Sequence, residues 1–245
     1  MKQLLKSMLA VLVLAGLGAA HATVVNFDGL AANQPFAPSL PFLTHGDGIS
    51  QNGYAIDTYS TKAGAALGVD LVGVLVDGND VANTCFSVGC PTNNKTNFLG
   101  MLNDGLPEIY RVDGGNFKLM KFDASFMSAD GLAIPGAAAL LRFIGFSNNV
   151  QVAVQDFVLP GPTNGVFSFS TYTLSSLFST LDIDTIDIYG YACNAAGSCN
   201  RSSDTAQFAL DNLTFADPVT VPEPGTWMLM GVALAGLAVS RRRRV

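Results

Sequence analysis

The chain has 245 residues, of which only 13% are charged, with 13 basic and 19 acidic side chains and a formal charge of −6. Six basic residues sit at the two extreme ends, which leaves 7 against 18 acidic residues in the body, a surplus of 11 negative charges. A body with no basic stripe to neutralise phosphates excludes nucleic acid as a partner, and its wealth of Gly, Ser, Thr, Asn and Asp favours short strands joined by turns over long helices.

The chain opens with "MKQLLKSMLAVLVLAGLGAAHA". Lys2 and Lys6 precede an apolar run from about Met8 to Leu17, and small residues lead to Ala20-His21-Ala22. This is the plan of a secretory signal peptide over residues 1–22, cut by signal peptidase after Ala22. A body of residues 23–217 then begins at Thr23.

Strand candidates follow at regular intervals. "TVVNF" opens the body, "DLVGVLV" lies at 70–76, and "NFKLMKFDASFMS" at 116–128 is long enough to bend or bulge. "NVQVAVQDF" at 149–157 alternates in the manner of a strand with one buried and one wet face. "GVFSFST", "IDTIDIYGY" and, at 206–215, "AQFALDNLTF" complete the set. Turn clusters such as "DGND", "NDG", "SNN" and "PGPTNG" separate them. Only "TLSSLFSTL" at 173–181 has helical spacing. The pattern predicts an all-β fold, an antiparallel β-sandwich of jelly-roll type.

The four cysteines form two close pairs, Cys85 with Cys90 and Cys193 with Cys199. In an exported chain an even count implies disulfides, and of three connectivities the two local ones are the most economical. Neither pair is Cys-x-x-Cys, so loop-tying is the expected role. Zinc finds too few partners, because His45 is the only histidine left after signal removal.

Hydrolytic chemistry has little to work with. His45 has no Gly-x-Ser-x-Gly elbow beside it, and Glu108 is the only glutamate in the body. Aspartates such as Asp123, Asp156, Asp182, Asp184 and Asp187 keep a secreted hydrolase open as the alternative. No motif demands a cofactor. Structural calcium suits the available oxygen donors, with Asp28 from the first strand, Asp211 from the last and a loop oxygen from Asp47; plain turn or strand-end capping accounts for the same aspartates equally well. Stacking on sugar rings needs exposed aromatics. The body has no Trp, so the candidates are tyrosines, foremost Tyr189 and Tyr191 on one face of one strand.

Residues 218–245 form the last segment. Val221-Pro222-Glu223-Pro224 precedes 14 uncharged residues, Thr226 to Val239, and then Arg241, Arg242, Arg243 and Arg244. The apolar run is shorter than the ~20 residues of a full crossing, so it predicts a short, thin or tilted transmembrane helix with its arginines in the cytoplasm. This three-part tail resembles the PEP-CTERM sorting signal. That resemblance implies an exosortase as processing partner, a Gram-negative bacterium with an exopolysaccharide matrix, and transient anchoring in the inner membrane. The body resembles the jelly-roll domains such proteins carry, and Gln207-Phe208-Ala209-Leu210-Asp211 is similar to the Gln-Phe-x-x-Asp motif of one subgroup. Comparable folds include carbohydrate-binding modules, in which the first and last strands are neighbours and calcium often sits near their ends. The function implied is that of a non-enzymatic cell-surface or matrix protein with extracellular polysaccharide as partner.

Overall fold

The computed structural model describes residues 22–30, 42–85, 88–129, 136–200 and 205–216. The expected signal peptide of residues 1–22, apart from its last residue Ala22, the sorting motif at Val221 to Pro224, the short transmembrane helix and Arg241 to Arg244 lie outside the described residues. Ala22–Ala216 form a compact unit of their own.

Sixteen strands are present among the described residues: β1 (Ala22–Val25), β2 (Phe42–Thr44), β3 (Asp47–Gln51), β4 (Tyr54–Ser60), β5 (Leu71–Asp77), β6 (Val88–Gly89), β7 (Asn97–Met101), β8 (Gly105–Arg111), β9 (Lys118–Phe126), β10 (Ser128–Ala129), β11 (Ala137–Ser147), β12 (Val150–Pro160), β13 (Ser170–Thr173), β14 (Thr185–Cys193), β15 (Cys199–Asn200) and β16 (Phe208–Ala216). Two helical turns join them, α1 (Val81–Thr84) and α2 (Ser176–Thr180). Sheet I runs β13-β9-β16-β7-β5-β2, with β1 also paired to β16. Sheet II runs β12-β11-β14-β8-β4-β3, with β15 paired to β14, and β6 and β10 form a separate ribbon. The chain passes repeatedly from one sheet to the other, and the first and last strands are neighbours. The fold is an antiparallel two-sheet sandwich of jelly-roll type.

Turn chemistry sets the hairpins. β3 and β4 are joined by Asn52-Gly53, and β11 and β12 by Asn148-Asn149, all four in the left-handed region with φ of 53°, 85°, 50° and 62°. Two-residue turns of this hand match strand twist, and Asn and Gly tolerate the conformation best. The "NFKLMKFDASFMS" stretch gives β9 and then the two residues of β10, while in "GVFSFST" only Ser170 and Thr171 enter a strand.

Alternation fills the space between the sheets. Leu141 and Phe143 on β11, Ile186 and Ile188 on β14 and Phe208, Leu210 and Phe215 on β16 are fully buried. Phe122 lies with its ring centroid 4.4 Å from that of Phe143 and 5.0 Å from that of Phe157, and Tyr54 stacks on Phe215 at 3.8 Å. Removing one such ring costs about 3–5 kcal/mol, so this aromatic layer dominates the packing energy.

The two outer faces differ. That of sheet I carries a second apolar cluster of Val74, Val76, Phe98 and Ala209, closed by Met127, Cys85 and Cys90. The Cys85–Cys90 disulfide forms, and so does Cys193–Cys199, which pinches the β14–β15 hairpin. The outer face of sheet II carries acids and tyrosines on β4, β8 and β14 and the exposed Val152, Val154 and Val158 on β12.

Candidate functional site

Three neighbouring strands of sheet II each place one acid in the same transverse row. Asp57 on β4 is the register partner of Glu108 on β8, and Glu108 is the partner of Asp187 on β14. All three share the parity opposite to Ile56, Ile109 and Ile188, whose side chains fill the core, so the acids project outward. At the end of the row stands Gly48 on β3, opposite Asp57. A Cβ there would fall 2.3 Å from Asp57 Oδ1, so only glycine leaves that carboxylate its place.

Tyrosines frame the acids. The Tyr110 and Tyr59 hydroxyls donate to Asp57 Oδ2 at 3.0 and 3.4 Å, and the Tyr189 hydroxyl donates to Asp187 Oδ2 at 3.2 Å. Asp187 is only 9% exposed, and its other oxygen, Oδ1, is buried without a hydrogen-bond partner. A buried acceptor left unmade forfeits roughly 1–3 kcal/mol, so a group of this kind calls for a functional account.

Electrostatics follow from the crowding. Burial pushes the Glu108 carboxyl above the usual range, and Asp187 and Asp57 push it further. Asp187 is raised by burial too, against the Tyr189 hydrogen bond. Tyr59 is driven up to about 12, by burial first and then by Asp57 and Glu108. The cation nearest in register, Arg142 opposite Tyr189, grips Asp156 with two hydrogen bonds of 2.8 and 2.7 Å, and its guanidinium carbon lies 5.4 Å from the Tyr191 ring centroid.

Tyr189 and Tyr191 thus lie on one face of β14, both half-buried. Sequence reasoning put those two foremost among the candidate tyrosines, which also include Tyr59 and Tyr110, and gave Asp57 and Glu108 no binding role. Their signal was the alternation in "YAIDTYS" and "GLPEIYR", two stretches with the same outward acid and outward tyrosine.

The expected calcium residues meet at a different place, on sheet I. β7 and β1 share one edge of β16, pairing with Phe208 to Leu210 and with Leu213 to Ala216 respectively. Asp211 and Asn212 fall at the break, where the β9–β16 register shifts and Asn212 takes a φ of 51°. Bulges of this kind re-aim side chains beside sites. The Asp211 carboxylate is fully buried and accepts from Asn94 Nδ2 at 2.6 Å and from the Asn212 N–H at 2.7 Å. Asp28 Oδ1 accepts from the Asn97 N–H at 3.1 Å. Burial pushes Asp211 up to about 7, with Asp123 and Asp28 adding to it. Asp47 belongs elsewhere: its carboxylate accepts from Thr44 N–H and Oγ1, both at 2.6 Å, and caps the β2–β3 turn. Among the described residues no three His, Cys, Asp or Glu side chains gather closely enough to hold a metal by themselves. A cation at the break would therefore rest on Asp211, Asp28 and neutral oxygens such as that of Asn94. His45, the lone histidine of the body, accepts the Ser60 N–H on its Nδ1 at 2.9 Å, a backbone-bracing role.

An antiparallel two-sheet sandwich tied by two local disulfides fits an exported, oxidised protein. Residues 220–244 match the PEP-CTERM protein-sorting motif, which marks the chain for exosortase-sorted export. Among curated proteins no relative matches. Three solved structures resemble the fold distantly. One is a family 28 carbohydrate-binding module specific for non-crystalline cellulose, at 14% identity and a TM-score of 0.32, covering 51% of this chain and 76% of that one. Another is the family 11 module of Clostridium thermocellum with a β-1,3-1,4-mixed-linked tetrasaccharide, at 15% identity and a TM-score of 0.32, covering 81% and 97%. The third is a family 27 module of Caldicellulosiruptor saccharolyticus with mannohexaose, at 12% identity and a TM-score of 0.28, covering 80% and 97%. At these scores the likeness carries no functional argument, and the Gln207–Asp211 subgroup likeness is not confirmed by it.

Proposed function

We propose that this is a non-enzymatic surface or matrix protein of a Gram-negative bacterium that binds extracellular polysaccharide through the outer face of sheet II. Signal peptidase removes residues 1–22, the short C-terminal helix holds the chain in the inner membrane for a time, and an exosortase processes the tail. The observation that carries the binding role is the grouping of Tyr59, Tyr110 and Tyr189 around the Asp57–Glu108–Asp187 row, with Tyr191 further along the same face of β14. Tyrosine offers a ring edge or face to a sugar and a hydroxyl to its polar rim. Carboxylates accept paired hydroxyls, and the half-buried Asp57 and Glu108 keep accessible oxygens for a ligand.

A structural calcium belongs to the same proposal. The donors at the β16 break are all hard oxygens, and burial of the Asp211 carboxylate creates a demand for positive charge there. Asp211 and Asp28 would hold the ion with Asn94, supplying rigidity where β1, β7 and β16 meet.

The test is saturable binding of the purified, oxidised protein to soluble polysaccharides, the host matrix included, with calcium and with chelator. Binding that weakens in Tyr189→Ala supports the reading, and absence of binding to every polymer overturns it. One observation favours a secreted hydrolase as the second reading: Glu108 and Asp187 are adjacent carboxyls held above the usual range. They project side by side from one sheet face, however, whereas glycoside hydrolysis needs acids on both sides of the scissile bond. Release of reducing ends that vanishes in Glu108→Gln would establish that reading instead.

A further inference from the structure

The outer row of sheet II is unusual in what it lacks as well as in what it holds. Asp57, Glu108 and Asp187 stand on adjacent strands, and like charges opposite each other in a sheet destabilise it. The groups facing them from the neighbouring elements are Tyr59, Tyr110 and Tyr189, which donate neutral hydrogen bonds, and Ile144 on β11, which is the register partner of Asp187. Arg142 and Asp156 are paired with each other, and Arg111, at the end of β8, is paired with Asp113. Among the described residues no ion pair reaches the row, so its negative charge is left to whatever binds there: Asp57 and Glu108 keep exposed oxygens, and Asp187, with Oδ1 buried and unpartnered, adds an uncompensated charge behind them.

We infer that this face selects polysaccharides bearing free primary amines, a polyglucosamine in chemical class, over their N-acetylated, neutral or uronic counterparts. The inference rests on the glycan-binding role proposed above. The three acids are strung along a line and do not surround a point, which suits a polymer of repeated cations better than a single metal ion. Neighbouring strands lie about 4.8 Å apart, close to the advance per residue of an extended pyranose chain, and because successive residues of such a ribbon turn over, ammonium groups two residues apart would meet Asp57 and Asp187, two strands apart. A polyuronate would bring further negative charge to a body already carrying a surplus of it. An acetylated amine donates one weak hydrogen bond where an ammonium donates three charged ones, and charge-assisted hydrogen bonds to a buried carboxylate are about twice as strong as neutral ones.

The experiment measures affinity of the purified protein for glucosamine oligomers, N-acetylglucosamine oligomers of the same length, a neutral β-glucan and a polyuronate. Spermine serves as a non-sugar polycation. The expected result is a preference of roughly 10- to 100-fold for the free-amine oligomer over the acetylated one, the factor carried by one charge-assisted hydrogen bond. Asp187→Asn and Glu108→Gln should each collapse that ratio toward one, because the free-amine oligomer loses more affinity than the acetylated one. Asp182→Asn, an exposed acid outside the strands, should leave the ratio unchanged. Equal or tighter binding of the acetylated or neutral oligomers overturns the amine preference and leaves glycan binding standing. If spermine binds as tightly as the oligomer, or if Asp182→Asn lowers the ratio as much as Asp187→Asn, general charge attraction replaces the assigned row. Failure of every glycan overturns both readings.

Discussion

Glu108 lies directly opposite Asp187 across the β8–β14 pair, and the Asp187 carboxylate adds to the burial that pushes the Glu108 carboxyl up. Both are raised above their ordinary values, so each releases its proton at higher pH when folded than when unfolded. Between the unfolded and folded values the native state carries more protons, and stability therefore falls as pH rises through that interval. Thermal melts should show a higher Tm below the folded values, with the loss complete once both groups ionise. Glu108→Gln should flatten that slope and raise the neutral-pH stability by about 0.5 kcal/mol, the scale of one opposed like-charge pair. In a domain of this size that is a Tm gain of about 1–2 °C. A slope unchanged in Glu108→Gln would mean that the pair does not couple.

The tyrosines should separate ring contact from hydroxyl contact. Tyr191→Ala removes the ring beside Arg142 and should weaken polysaccharide binding by roughly tenfold, whereas Tyr191→Phe should stay near wild type. For Tyr189 the Phe variant also matters, because its hydroxyl is the one donor given to Asp187 Oδ2 among the described contacts. Isothermal titration of these three variants and of Tyr189→Ala against one oligosaccharide checks both statements. Equal losses for Tyr191→Phe and Tyr191→Ala would transfer the role from ring to hydroxyl.

Much of the sandwich was legible because period-two alternation survives wherever one face is buried, as in Ile186, Ile188, Tyr189 and Tyr191 on β14. β11 was not read as a strand. Its "AAALLRFIGFS" is rich in Ala and Leu, which favour helix locally, and long-range pairing with β12 and β14 overrides that preference. β8 hid behind Pro107, and β3–β4 behind an unused Asn52-Gly53 turn signal. The acid row was invisible for a deeper reason. Asp57, Glu108 and Asp187 are separated by 51 and 79 positions in the chain, and only the strand order β4-β8-β14 makes them neighbours. Asp28 and Asp211, by contrast, were brought to the same end of sheet I by the pairing of first and last strands that the jelly-roll resemblance implied.

The two disulfides should contribute unequally. Each closes a loop of only five or six residues, so the chain-entropy contribution is about 2 kcal/mol apiece. Cys85 and Cys90 are buried against Val74, Val76 and Phe98, whereas Cys193 and Cys199 sit half-exposed at a hairpin end. Replacing the first pair with serines would bury hydroxyls in an apolar cluster and should cost about 2 kcal/mol more than replacing the second. Urea unfolding of the two double variants tests the ranking, and a larger loss for Cys193→Ser/Cys199→Ser would contradict it.

Asp211 gives the most direct probe of calcium. The carboxylate is fully buried, and the groups that donate to it are side-chain amides, a hydroxyl and a backbone N–H, all of them neutral. A divalent cation binding there would stabilise the folded chain by about 2.7 kcal/mol at a hundredfold excess over its Kd, and chelator would withdraw that gain. The wild-type Tm should therefore climb with calcium by about 5–10 °C, since a domain near 200 residues gains roughly 2–4 °C per kcal/mol. Asp211→Asn keeps the shape and removes the charge, so its Tm should no longer respond to calcium. Asp28→Asn should keep a weaker response at higher concentration. Magnesium should do less in every case, because the site supplies few charges and Mg²⁺ sheds its water reluctantly. A melt indifferent to calcium in the wild type would return Asp28 and Asp211 to a hydrogen-bonding role alone, with the β16 bulge held by Asn94, Thr96 and Asn212.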